Sequence, residues 1–351
     1  MHYSPALDGL RAFAILLVVA SHSRVPGFNG GFLGVDIFFV LSGLLITGLL
    51  LQEHVETGEI GLGRFYLRRA LRLTPALFLM VAAYIATAGL LWPAIPTAAH
   101  MRDAALAAFY VSDHARAFWN APEVLRHTWS LAVEARFYLL WPAAVVIISR
   151  LRTLQTRVTV LVALYVMATL WRDVDYLTSG AWDPTYYRFD TRLSGLVLGG
   201  LLAVLVRADL TYLRAVRPEW GLIAVLVITA QCALLTWDTP IALVLGITSV
   251  EIATGVIIAS VLSPQASFLR SVLSSPLTVR TGILSYGIYL WHFPMSLWLR
   301  ETNPWPVTMA IVVPLSFVCA ALSYATVERL GRSMSARLRC RQRGLAAAVQ
   351  S

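Results

Sequence analysis

The sequence predicts an all-α protein that crosses a membrane about ten times, with both termini in the cytoplasm. Three observations carry that prediction: 58% of the residues are hydrophobic, only 13% are charged, and the mean hydropathy is +0.69. A soluble core of this length has no use for so much apolar surface. Charge then sets direction, because the 28 basic residues are all arginine and gather in alternate loops.

Stretches long enough to cross the hydrocarbon core fall at 6–23, 32–52, 73–92, 128–149, 157–172, 187–206, 219–236, 240–262, 283–300 and 307–328. Asp8 and Arg11 interrupt the first, and no small-x-small cleavage site follows it. It reads as a retained helix rather than a secretory leader. The second opens on GGFLGVDIFF, with Asp36 near its external end, and the third is preceded by the arginine-rich RFYLRRALRLTP. Between spans three and four, Ala98 to Tyr110 is apolar but short, and counting it as a span would reverse every later loop. It reads as a re-entrant or interfacial helix. The fourth carries Glu134 about two turns in, the sixth is entered through YYRFDTR, and the ninth places His292 just before Pro294, whose missing N–H frees a carbonyl one turn earlier. Residues 1–330 form the transmembrane domain and 331–351 a basic cytoplasmic tail suited to anionic lipid.

Loop charge supports this topology. Arg64, Arg68, Arg69 and Arg72, then Arg150, Arg152 and Arg157, fall on the inside with the tail arginines, against Arg24, Arg102, Arg116 and Arg126 outside. A net charge of +9 spread over short loops excludes nucleic acid as the partner. Cys232, Cys319 and Cys340 lie far apart, so neither a disulfide framework nor a thiolate metal site is expected, and there is no HExxH or histidine cluster.

Arg11 and His22 are the groups a bilayer should exclude. Eleven residues apart, they lie within about 20° of each other on one helix face and about 16 Å apart along the axis. Ionisable side chains inside a span mark functional sites unless they snorkel, and the alternatives are an Asp8–Arg11 pair and an interfacial histidine. Asp36, returning beside span one, is placed to hold the His22 ring in one tautomer or accept its proton; the alternative is a helix-start carboxylate favoured by the macrodipole. Ser42 and Gly43 favour close helix packing. For the arginines at 68, 69 and 72 the plain reading is a positive-inside stop signal.

Together, Arg11 and His22, GVDIFFVLSG, RFYLRRALRLTP, HTWSLAVEARFYLLWP, SYGIYLWHFP and SYATVER resemble the type 3 membrane acyltransferase family, over Leu7 to about Arg329. That resemblance implies a multi-pass enzyme of the bacterial inner membrane that moves an acyl group, usually acetyl, from cytosolic acyl-CoA to a hydroxyl of a glycan, glycolipid or glycosylated metabolite. It makes Arg11 and His22 the essential pair, with His22 as general base or covalent acyl carrier. It makes Arg68, Arg69 and Arg72 the binders of the coenzyme A phosphates, for which guanidinium forks are suited. Glu134 answers the family pattern WSLxVE and either pairs with an arginine or orients His22. Arg136 stands where the family commonly has Glu or Gln and has no role assigned. Arg192 answers FDxR and lines the acceptor entrance, with a simple Asp190–Arg192 pair as the alternative. His292 either touches substrate or packs against the proline kink. Some family members continue into a hydrolase-like extracytoplasmic domain; this sequence stops before one, so the expectation is that it either finishes the transfer itself or hands over to a separate extracytoplasmic partner. Two rival classes use the same residues: a proton-coupled transporter or flippase, and a catalytically silent scaffold.

Overall fold

The computed structural model describes residues 3–208, 216–265, 267–329, 331 and 333. Among them every regular element is helical. The expected cytoplasmic tail lies outside the described residues apart from 331 and 333.

Helix α1 (Pro5–His22) leads through a 3-10 turn (Asn29–Leu33) into α2 (Gly34–Thr57), followed by α3 (Leu62–Leu91). Two short helices come next, α4 (Thr97–Ala108) and α5 (Ser112–Trp119), then α6 (Trp129–Arg150) and α7 (Leu154–Ser179). The chain continues through α8 (Trp182–Tyr187), α9 (Leu193–Ala208), α10 (Pro218–Leu234) and α11 (Ile247–Leu262), the last entered by a π turn at Ala242–Gly246. It closes with α12 (Phe268–Leu273), α13 (Pro276–Leu299) and α14 (Trp305–Ser323).

Eight helical segments are long and apolar enough to cross a membrane. The other two expected spans are also helices: α10 has 17 residues, and α13 has 24 but is diluted by Tyr, Trp, Ser and His. The awkward segment after α3 is the 12-residue α4, too short to cross, which leans on α3 through a 2.7 Å bond between Tyr84 Oη and His100 Nδ1.

Burial sorts the helices into layers. α2 is the central post, with 83% of its apolar window buried, whereas α7 buries only Leu161 and Arg172 and turns the rest outward. Close backbone approach sets two crossings. A Cβ on Gly43 of α2 would meet the Leu196 carbonyl oxygen of α9 at 1.9 Å, and one on Gly199 would meet the Val40 oxygen at 2.1 Å. Small residues at a crossing let helices in lipid gain dispersion contact that side chains would hold apart. The second crossing matters for the site: Gly282 of α13 sits against the Asp8 carbonyl of α1, where a Cβ would come within 1.8 Å. α13 therefore runs along α1 and brings His292 to the far end of that helix.

Candidate active site

α1 ends in His22, whose Nδ1 lies 2.9 Å from Nε2 of His292. Nδ1 of His292 lies 3.0 Å from the Ile288 carbonyl oxygen. A carbonyl only accepts, so His292 carries its proton on Nδ1 and presents a lone pair at Nε2. His22 must then donate from Nδ1, which leaves its own lone pair on Nε2. No hydrogen bond among the described residues engages that atom. The end of α1 is braced twice more, by Ser23 Oγ against Ser296 Oγ at 3.3 Å and by Arg300 donating to the His22 carbonyl at 3.0 Å.

The carbonyl freed by Pro294 belongs to Leu290, and the residue that takes it is His127, whose Nε2 donates over 3.2 Å. His292 bonds Ile288 instead, so its expected place at the proline kink falls to His127. His127 stacks on Phe293 with ring centres 5.0 Å apart and keeps a buried Nδ1 without a partner among the described residues. Sequence reasoning quoted the motif that contains His127 but gave it no role; the signal was a histidine just before a span beside an unpaired proline carbonyl.

A cavity of about 640 Å³ opens against this cluster. His22 and His127 line it together with Trp129, Tyr186, Tyr187 and Trp237, and so do Arg24, Arg116, Arg126 and Arg300. Its size is that of an ordinary small-ligand site.

Arg11 belongs to a separate cluster near the start of α1. Its guanidinium pairs with Asp8 at 3.1 Å, and Tyr3 Oη donates to the same carboxylate at 2.8 Å. Arg69 lies over the Tyr138 ring at 5.4 Å, and Tyr138 donates to Glu134 at 3.0 Å. Among the described residues Glu134 forms an ion pair with no arginine and does not bond His22; its partner is the Tyr138 hydroxyl. Arg68 and Arg64 converge on Glu53 at 2.9 and 3.2 Å. Between the two clusters the shared face of α1 carries Ile15 and Val18, both fully buried. Arg11 does not line the cavity at His22.

Two expectations are corrected. Asp36 does not reach His22: it pairs with Arg192 at 2.7 Å, both side chains being sealed from solvent. The reason is helical phase, since Asp36 lies two turns before Gly43 and so shares the face that crosses α9. Arg192 correspondingly does not line the entrance; it sits behind the cavity wall, 4.6 Å from the Tyr186 ring centre and 5.4 Å from that of Trp129. Asp190 pairs with Arg188 at 2.6 Å. Arg136 pairs with the buried Asp113, whose carboxyl burial pushes above its ordinary range. Sequence reasoning also missed Arg172 and Glu251, both buried, which bond Thr248 at 2.6 Å and Ser194 at 2.6 Å respectively. No group of three His, Cys, Asp or Glu side chains is placed to hold a metal ion among the described residues.

The family model described as an acyltransferase domain matches residues 4–327. A peptidoglycan O-acetyltransferase of Listeria monocytogenes is 32% identical over 352 residues, which cover 93% of this chain and 55% of that protein. A putative O-acetyltransferase of Staphylococcus aureus is 33% identical over 93% of this chain and 57% of its own length. A putative peptidoglycan O-acetyltransferase of Bacillus subtilis is 32% identical, over 93% and 54%. The chain spans about half the length of these relatives. No solved structure matches it.

Proposed function

The chain belongs to the acyltransferase family whose domain model it matches nearly end to end, and from that premise we propose that it is a membrane O-acetyltransferase acting on a glycan hydroxyl. The observation that carries the chemistry is the His22 lone pair, directed by His292 so that the unbonded Nε2 is the one left for the cavity. A hydroxyl is a poor nucleophile until its proton has somewhere to go, and a neutral imidazole supplies that place.

The donor we assign is acetyl-CoA, which supplies an activated thioester carbonyl. Arg68 and Arg72 face its phosphates from the cytosolic end of α3, and Arg69 and Arg11 continue the positive line inward, with Glu134 limiting its charge. As the acceptor oxygen bonds to the acyl carbon, its O–H bond breaks and the proton passes to His22 Nε2. His22 then bears a positive charge that His292 stabilises, because His292 offers a lone pair and no second positive charge. The C–S bond breaks, and the proton goes from His22 to the departing thiolate. No net charge or proton is left over. Ile15 and Val18 keep the two ends of α1 apart in this conformation; on this reading they move aside when the donor arm enters, and otherwise hold the membrane closed.

The relatives named for peptidoglycan motivate the glycan acceptor, and a bacterial inner-membrane location belongs to the same reading. The experiment is transfer from radiolabelled acetyl-CoA to cell-wall glycan fragments by the full chain in lipid nanodiscs. Wild type should label the glycan, and His22→Ala should lower the rate by about 10²- to 10⁴-fold, the usual contribution of a positioned base. Label transferred equally by His22→Ala would refute the assignment, and protein that binds but never acetylates any hydroxyl would favour a transport role.

A further inference from the structure

The cavity beside His22 is lined by four arginines against a single carboxylate, Asp183. A glycan hydroxyl by itself needs none of this charge. Two of the four are committed: Arg24 pairs with Glu301 at 2.9 Å, and Arg116 holds Asp183 at 3.3 Å and Asn120. The other two are less fully engaged. Arg126 has no ion-pair partner among the described residues and lies over the Phe293 ring at 5.2 Å. Phe293 in turn meets the His22 ring edge-on, with centres 4.7 Å apart, so the Arg126 fork stands one ring away from the base. Arg300 holds the His22 carbonyl through Nη1, while its buried Nε has no hydrogen bond. Glu301 lies 3.5 Å from that nitrogen but out of alignment for one.

Four guanidiniums sharing two carboxylates in a half-closed cavity repel each other, and the cost falls when an anion enters between them. Trp129, Tyr187 and Trp237 also line the cavity, and aromatic side chains of this kind pack against the C–H side of a sugar ring. Resting on the acyltransfer reading above, we infer that the acceptor is an anionic saccharide. Its carboxylate or phosphate lies between Arg126 and Arg300, and that grip sets one of its hydroxyls at His22 Nε2. Planar forks bind either group through paired N–H donors. The two arginines therefore select the acceptor.

The test compares three oligosaccharides of equal length with the full chain in nanodiscs: neutral N-acetylglucosamine oligomers, the same backbone bearing lactyl carboxylates, and the same backbone bearing phosphate monoesters. Direct binding and acetyl transfer are both measured. At least one charged oligomer should bind ten times or more tighter than the neutral one, with the preference shrinking as salt rises. Arg126→Gln should remove most of that preference, Arg126→Lys should restore part of it, and Arg102→Gln, an exposed arginine outside the cavity, should leave it intact. The two charged backbones tell which anion is read. Equal binding and equal transfer for neutral and charged oligomers would overturn the inference while leaving the acetyltransferase reading standing. Charged oligomers bound through Arg126 but never acetylated would keep the anion site and sink the acetyltransferase reading instead.

Discussion

At the scale of single residues, the arrangement that matters is a proton ledger across three groups: the Ile288 carbonyl fixes His292, and His292 fixes His22. Each link follows from what an atom is able to donate. On the proposed reading His292 acts as a positioning residue. Replacing it tests this. His292→Ala removes the acceptor for the His22 Nδ1 proton, frees the ring to rotate or exchange tautomers, and should lower kcat by about 10- to 100-fold with acceptor KM little changed, in line with the loss of a supporting partner. His292→Gln keeps a carbonyl acceptor at that point and should recover part of the rate. A merely space-filling histidine would show loss of folded protein in both variants and no difference in kcat between them. Asp36, expected to hold the ring, faces Arg192 instead, because two turns before Gly43 it lies on the face that crosses α9.

At the scale of elements, the α2–α9 crossing joins a glycine contact and a buried ion pair on the same face. Desolvating two charges is costly, and removing only one partner leaves the other uncompensated at about 3–5 kcal/mol. Asp36→Asn should therefore lower the melting temperature and yield of the purified protein. The double variant Asp36→Leu/Arg192→Met replaces the pair with apolar volume and should regain both. If the pair served only the crossing, acetyl transfer returns with the fold; a stable but inactive double variant would put Asp36 back into the chemistry. Element positions were largely legible in the sequence, because hydropathy windows and loop arginines report on lipid directly. Even the short α4 could be recognised by length. Helix rotation was not legible, since α2 is apolar nearly all round and its pattern names no preferred face. Hence Asp36, Arg192, Arg172 and Glu251 could be recognised as buried charges at most, and their partners came only with the packing.

At the scale of the whole molecule, the Arg11 cluster and the His22 cluster stand at opposite ends of α1. About 16 Å of helix separates Arg11 from His22, and the buried Ile15 and Val18 lie between. On the proposed reading the donor binds at one end and the acceptor at the other, so the two affinities should be separable by mutation. Arg68→Gln, Arg69→Gln and Arg72→Gln combined remove three guanidiniums from the entry to α3 and should raise the KM for acetyl-CoA by about tenfold or more, each lost charge-assisted phosphate contact being worth roughly 1.5–3 kcal/mol before partial screening by water. The KM for the glycan acceptor should stay within about twofold. Because Arg69 packs on Tyr138 and Arg68 binds Glu53, the folded fraction must be checked by size-exclusion chromatography, and Arg150→Gln, an exposed arginine on the same side of the membrane, serves as the control for general loss of positive charge. Steady-state kinetics with each substrate varied in turn decides the matter. A rise confined to the donor supports a two-ended path along α1, whereas equal changes in both constants, or none in the donor constant, would mean that the donor binds elsewhere and that these arginines only fix topology.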